Sequence, residues 1–272
     1  MGNVFVVDVA RCSGCHNCQL SCKDEHCEND WRPYAAPQPP TGQFWCKVTE
    51  HPRGTIPKVK IHYIPTLCNH CDQAPCLSAA QHGAIYRRED GLVLIDPEKA
   101  AGQKELVDAC PYGAIFWNET LQLPQKCTGC AHLLDHGAKL PRCVEACPTD
   151  ALQFGDEEEL AGLLKDAVCL HPEYGTAPRV YYRNIPGCFL GGLVYDPAEE
   201  EVLIGAAVTL SLADGTARET VTDDFGDFWF KDLPETTASV TIRAEGYAPR
   251  VFQDLNTASC PNLGDIALTR SN

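Results

Sequence analysis

Hydrophobic residues follow two different rhythms along this chain. From about residue 188 they alternate with polar ones: Val208, Leu210 and Leu212, then Phe228 and Phe230, then Val240 and Ile242. Turn signals separate these runs, at Ala213-Asp214-Gly215, Asp224-Phe225-Gly226 and Glu245-Gly246-Tyr247. A period of two sends successive side chains to opposite faces of a strand. Short strands at this spacing predict an antiparallel β-sandwich over residues 185–272. Asp223, Asp224 and Asp227 fall in one of the turns. The rest of a calcium-loop ligand set is missing around them, so they read as a hairpin turn.

Over residues 1–184 the alternation is interrupted. Residues 3–9 (NVFVVDV) predict a strand. Residues 23–66 form an insertion rich in Pro and aromatic residues, among them Trp31, Tyr34, Trp45 and Tyr63, and read as irregular structure. A hairpin is predicted for GAIYRREDGLVLID (83–96), turning at Glu89-Asp90-Gly91. Pro97 opens a predicted short helix over 97–109, and GAIFW (113–117) reads as a strand. Residues 156–165 suit a short amphipathic helix, and 171–187 a linker.

The cysteines change the picture. The chain has seventeen, eleven of them in three runs and a twelfth, Cys110, between the second and third. Cys12, Cys15, Cys18 and Cys22 are spaced C-x2-C-x2-C-x3-C, as in bacterial ferredoxins, where three thiolates hold one [4Fe–4S] cluster and the fourth reaches a neighbouring one. Cys22 lies one helical turn beyond Cys18, about 6 Å along the axis, so it points at a different centre. Cys147, followed by Pro148, is the matching cysteine of the last run, Cys127, Cys130, Cys143 and Cys147. The reciprocal assignment gives Cys12, Cys15, Cys18 and Cys147 to one cluster, and Cys22, Cys127, Cys130 and Cys143 to a second. Cys68, Cys71 and Cys76 form a third set with Cys110, which again precedes a proline. CPYGAIFW and CPTDALQF echo each other as an internal repeat. The fold class expected is therefore α+β: a duplicated ferredoxin-like domain over 1–184, then the β-sandwich. Structural zinc on Cys127, Cys130, Cys143 and Cys147 is the rival; four cysteines within eleven residues of the first run suit a cubane better.

The formal net charge of −15 argues against nucleic acid or an anionic membrane as partner. No stretch approaches 18 consecutive apolar residues. Residues 1–9 lack a basic n-region and so do not read as a signal peptide. CxxC clusters and an odd cysteine count disfavour a disulfide framework. A reducing, cytoplasmic setting is expected, with export alongside a signal-bearing partner left open.

The cysteine runs resemble those of the four-cluster iron–sulfur subunits of molybdopterin oxidoreductases in the dimethyl-sulfoxide-reductase family. This chain departs from that pattern once: the fourth position of the second run is Ala80, and residues 77–109 hold no cysteine. A complete ligand set is missing, which implies three [4Fe–4S] clusters on twelve ligands. Within the family, the truncated third run, REDGLVLIDPEKA, KEL, CPYG, QKCTGCAHLLD and TAPRVYY (176–182) are similar to small subunits of transhydroxylases acting on phenols. The C-terminal region is similar to transthyretin-like or carboxypeptidase-regulatory-like sandwiches, through GGLVYD, GAAVTL and TDDFGDFWFKDLP. The resemblance implies a non-catalytic electron-transfer subunit in a heterodimer. Its large catalytic partner would carry a molybdenum bis-pyranopterin guanine dinucleotide. The electron donor of a reductive catechol dehydroxylase and a free-standing polyferredoxin are the alternatives.

Nothing in the chain reads as a nucleophile–base pair, a phosphate loop or a dinucleotide motif, so no residue is assigned to catalysis. His16 and His70 lie inside cluster loops, where supporting or surface roles are expected. Lys126 and Arg142 directly precede cluster cysteines, and either a bond to the cluster or simple solvation fits them. Cys27, Cys46, Cys169, Cys188 and Cys260 have no partner at ligand spacing and read mainly as buried, inert thiols.

Overall fold

The computed structural model describes residues 2–271 and divides into two compact units. The first comprises 1–50 and 62–185; the second comprises 51–61 and 186–272.

The first unit is organised by a three-stranded sheet. Its central strand, Asn3–Asp8, runs antiparallel to Leu152–Asp156 and parallel to Val180–Arg183. Val4, Phe5, Val6 and Val7 are all buried, so both faces of the strand are covered and its sequence runs apolar instead of alternating. The first cysteine run follows this strand directly, and the last run ends just before Leu152. Pairing of Val7 with Leu152 therefore brings two runs 125 residues apart to the same end of the sheet. The helix Asn17–His26 turns Cys18, Cys22 and His26 inward and packs on the short helix Arg142–Glu145, which carries Cys143. The hairpin Ile85–Arg87/Val93–Ile95 forms as the sequence indicates.

Several expectations need correction here. The stretch 171–187 is not a linker throughout, because Val180–Arg183 is a strand of the three-stranded sheet. Residues 97–109 make turns and one 3-10 turn (Lys104–Leu106) instead of a helix; Gly102 at φ 79° leaves the helical region and overrides the opening signal of Pro97. The stretch 23–66 is not irregular throughout, because Cys46–Thr55 and Lys58–Leu67 pair as a long hairpin.

The tip of that hairpin (51–61) belongs to the second unit. There two four-stranded sheets share one core of Leu190, Val194, Val208, Leu210, Phe228 and Val240 with their neighbours. The alternation read from the sequence supplies the inward positions. One pair departs from the antiparallel expectation: Asn262–Ala267 lies parallel to Cys188–Asp196. The aspartates at 223–227 form a turn, with Asp223 Oδ1 accepting the N–H groups of Phe225 and Asp227. Asp227 pairs with Lys58 at 2.6 Å.

Candidate metal centres

Three CxxC loops share one backbone solution. The residue before the second cysteine is left-handed in each: Gly14 at φ 70°, Gly129 at 62° and His70 at 43°. Glycine adopts this region at no steric cost, whereas histidine does so only under constraint. Two of the loops also turn an N–H onto their own first sulfur, Gly129 to Cys127 at 3.3 Å and His70 to Cys68 at 3.5 Å. The two Cys-Pro segments repeat a second bond, from Ala114 N–H to Cys110 Sγ at 3.5 Å and from Ala151 N–H to Cys147 Sγ at 3.2 Å.

The fold gathers the eleven cysteines of the runs and Cys110 into three neighbourhoods. Cys12 is raised by burial, with Cys18, Cys147 and Cys15 adding to the effect. Cys22 is pushed well above the ordinary thiol value by burial, then by Cys127, Cys143 and Cys130. Cys71 rises to about 11, by burial and by Cys68, Cys110 and Cys76. Cys127, pushed up to about 12, feels Cys68 as well as Cys143, so the second and third sets adjoin. Four thiolates crowded into a low-dielectric interior repel one another. A bound metal centre inverts that balance and keeps them deprotonated. Among the described residues, no three His, Cys, Asp or Glu side chains converge on the position of a single ion.

The surroundings are buried and polar. Lys126 is 2 % exposed; its ammonium donates to the carbonyls of Val93 and, at 3.1 Å, Cys127. Its charge offsets part of the rise that burial imposes on Cys76, Cys110 and Cys127, and its burial rules out the solvated alternative. Arg142 instead takes an outer position, bonded to Glu25 at 2.6 Å and Glu145 at 2.6 Å. Burial raises Glu25's carboxyl, but Arg142 and His132 outweigh it and hold the group below the usual carboxylate range. His26, 1 % exposed, sits with Nε2 3.9 Å from Cys130 Sγ; burial, then His132, takes its pKa down to about 3. His16 is half-buried.

Cys46 is not the isolated thiol that its sequence position indicates. Its thiol lies beside those of Cys143 and Cys18, one residue from each of two neighbourhoods. Sequence reasoning missed it, and His26 too, because their partners arrive from other segments. Cys188 and Cys260 likewise lie side by side as free thiols inside the second unit.

The absent fourth set is accounted for by packing. Counting back from Cys110 with the spacing of the first run gives Leu106, Gln103 and Ala100. Leu106 and Ala100 are fully buried, and Gln103 Oε1 accepts the Gln81 N–H at 3.0 Å beside Ala80. An aliphatic and amide core stands where the thiolates would be.

These residues fit iron–sulfur clusters. Thiols crowd together in the interior, and buried polar atoms without a partner among the described residues (His70 Nε2, Trp45 Nε1, Thr128 Oγ1) lie in or beside the loops. Residues 59–157 match the 4Fe-4S dicluster domain, and residues 190–269 the carboxypeptidase regulatory-like domain. The chain is 41% identical over 253 residues to the pyrogallol hydroxytransferase small subunit of Pelobacter acidigallici, covering 89% of this chain and 90% of that protein. It is 34% identical to one subunit of the anaerobic dimethyl sulfoxide reductase of Escherichia coli, over 65% of this chain and 83% of that one. This protein belongs to the iron–sulfur subunits of the dimethyl-sulfoxide-reductase family. One subunit of the tetrathionate reductase of Salmonella typhimurium, 36% identical over 70% of this chain and 75% of its own length, is a further relative. As a member of this family, the chain is a [4Fe–4S] electron-transfer protein. Among the described residues no helix is long and apolar enough to cross a membrane.

Proposed function

We propose that this chain is the electron-transfer subunit of a pyrogallol–phloroglucinol transhydroxylase, built on a duplicated ferredoxin-like domain with three [4Fe–4S] clusters. The large catalytic partner carries the molybdenum bis-pyranopterin guanine dinucleotide and acts on phenolic substrates. One observation carries the reading. The match to the pyrogallol hydroxytransferase small subunit covers 89% of the chain, more than the 185 residues before the second unit can supply. It therefore extends into the β-rich C-terminal unit, whereas the two reductase subunits match over only 65–70%.

The ligands in this reading are Cys12, Cys15, Cys18 and Cys147; Cys22, Cys127, Cys130 and Cys143; and Cys68, Cys71, Cys76 and Cys110. The chemistry the clusters supply when bound is one-electron storage and relay. This chain's residues hold the thiolates in three adjoining sets, exclude water from them and aim N–H groups at sulfur, which tunes potential. The aliphatic core around Leu106 ends the relay after three centres. A transhydroxylation moves a hydroxyl between phenols with no net redox change, so it has little need for a longer path to a distant acceptor. A reducing cytoplasm is the setting this reading implies for so cysteine-rich a chain.

The test uses the native complex. Gel filtration is expected to give this chain with a large molybdenum-containing partner, and a lone polyferredoxin would contradict the reading. Purified complex is expected to convert pyrogallol without stoichiometric reductant. A strict demand for reductant would assign a catechol dehydroxylase or another reductase instead.

A further inference from the structure

Among the three left-handed loop positions, His70 is the exception. The other two are glycines. A histidine at φ 43° is strained where glycine is not, and its side chain gains no solvent contact in return, being 1 % exposed. Its ring is fixed on one side: Nδ1 accepts the backbone N–H of Val93 at 3.0 Å. A nitrogen that accepts carries no proton, so the imidazole is neutral and its hydrogen sits on Nε2. Among the described residues Nε2 has no hydrogen-bond partner. Phe5 stacks on the ring, with centroids 6.2 Å apart and planes 16° from parallel. The imidazole lines a small cavity whose walls include Cys68, Cys71, Cys76, Cys110 and Lys126. An oriented, dry N–H donor thus borders the place where four thiols meet.

We infer that His70 donates its Nε2–H to a sulfur of the third cluster and, with the Lys126 ammonium beside it, raises that cluster's reduction potential above the value its four thiolates alone would set. The inference rests on the three-cluster reading. Reduction adds negative charge to the cluster, and a fixed donor and a buried cation both favour the more negative state. Lys126 also borders Cys127, so its charge acts on the second cluster as well as the third. The cost of the left-handed histidine is then offset by a function that glycine cannot supply, since glycine has no side-chain donor.

The experiment is a redox titration of the intact complex followed by electron paramagnetic resonance, on wild type and His70→Gly. The substitution gives the loop the same residue as its two counterparts; it removes the donor together with the acceptor for the Val93 N–H and the ring stacked on Phe5. At a fixed ambient potential, the reduced-to-oxidised ratio of one cluster is expected to fall about tenfold, 59 mV for a one-electron couple, with full iron content and the first cluster unmoved. Unchanged potentials at full iron content would overturn the inference. If His70→Gly loses the third cluster, wild-type protein labelled with 15N-histidine decides. Pulsed resonance is expected to show 15N coupling to reduced cluster three, and its absence would overturn the proposal. A wild-type complex with no reduced-cluster signal at all is a separate result: it removes the three-cluster reading and this inference with it.

Discussion

A Cβ added to Gly14 would lie 2.6 Å from the ring of Tyr63. Gly14 also sits at φ 70°. Steric space and backbone conformation both demand glycine here, between the first two cysteines of the chain. Gly14→Ala is expected to drop iron and acid-labile sulfide from about twelve to about eight per chain, measured on anaerobically purified complex. The companion Gly14→Ala/Tyr63→Ala variant removes the clash but keeps the strained φ, and is expected to recover only part of the loss.

The proposed reciprocal pairing makes a counter-intuitive prediction. Cys22 follows Cys18 by four residues, yet its thiol neighbours are Cys127, Cys143 and Cys130. Cys22→Ala is expected to damage the centre of the last run and spare that of the first. Combining it with Cys130→Ala is then expected to cost no further cluster, whereas combining it with Cys12→Ala costs a second one. Iron content of the three variants, read against their resonance spectra, checks this. Equal loss in both double variants would break the pairing.

Much of this was legible in the sequence because loop spacing and cluster geometry are both local. The runs around Cys12, Cys68 and Cys127 declare themselves within four residues. Alternation from Val208 to Ile242 marked the strands of the second unit for the same reason. What failed depended on distant partners or competing local signals. Pro52, Pro57 and Pro65 argue against strands, yet the hairpin 46–67 forms, with its tip packed in the second unit. Cys46 looked solitary because Cys18 and Cys143 reach it only through tertiary structure. The proton on His70 Nε2 depends on Val93, a residue 23 positions away.

In the second unit, Asp196 binds Tyr247 Oη at 2.7 Å, the Ala198 N–H at 2.8 Å and Arg270 Nε at 3.0 Å. The Tyr247 hydroxyl is the main cause holding its pKa down at about 2, against about 3.9 in an unfolded chain. A depressed carboxylate stabilises the fold above its unfolded pKa and loses that contribution as pH falls through its folded one. Tyr247→Phe is therefore expected to weaken hydrogen-exchange protection of the Val194 amide at pH 5. The gap to wild type should close as pH falls from about 4 toward 2. A gap independent of pH would contradict the assignment.

Lys58 is 7 % exposed, with its ammonium 2.6 Å from Asp227 Oδ1 and 4.7 Å from the centroid of the Trp229 ring. Asp227→Asn strips the counter-charge from a buried cation. The cost for a fully buried pair is about 3–5 kcal/mol; Asp227 is partly exposed, so about 2 kcal/mol is expected after allowing for solvent screening. Lys58→Met/Asp227→Asn should recover most of it, because no charge is left unpaired. Denaturant unfolding followed through exchange of the strand Asp227–Leu233 measures both.

The account stands on thiolates from distant segments enclosing three iron–sulfur cubanes. Iron, acid-labile sulfide and zinc, determined per chain on anaerobically prepared complex, test it most directly. The expected result is about twelve iron and about twelve sulfide, with zinc absent; stoichiometric zinc without sulfide would contradict it.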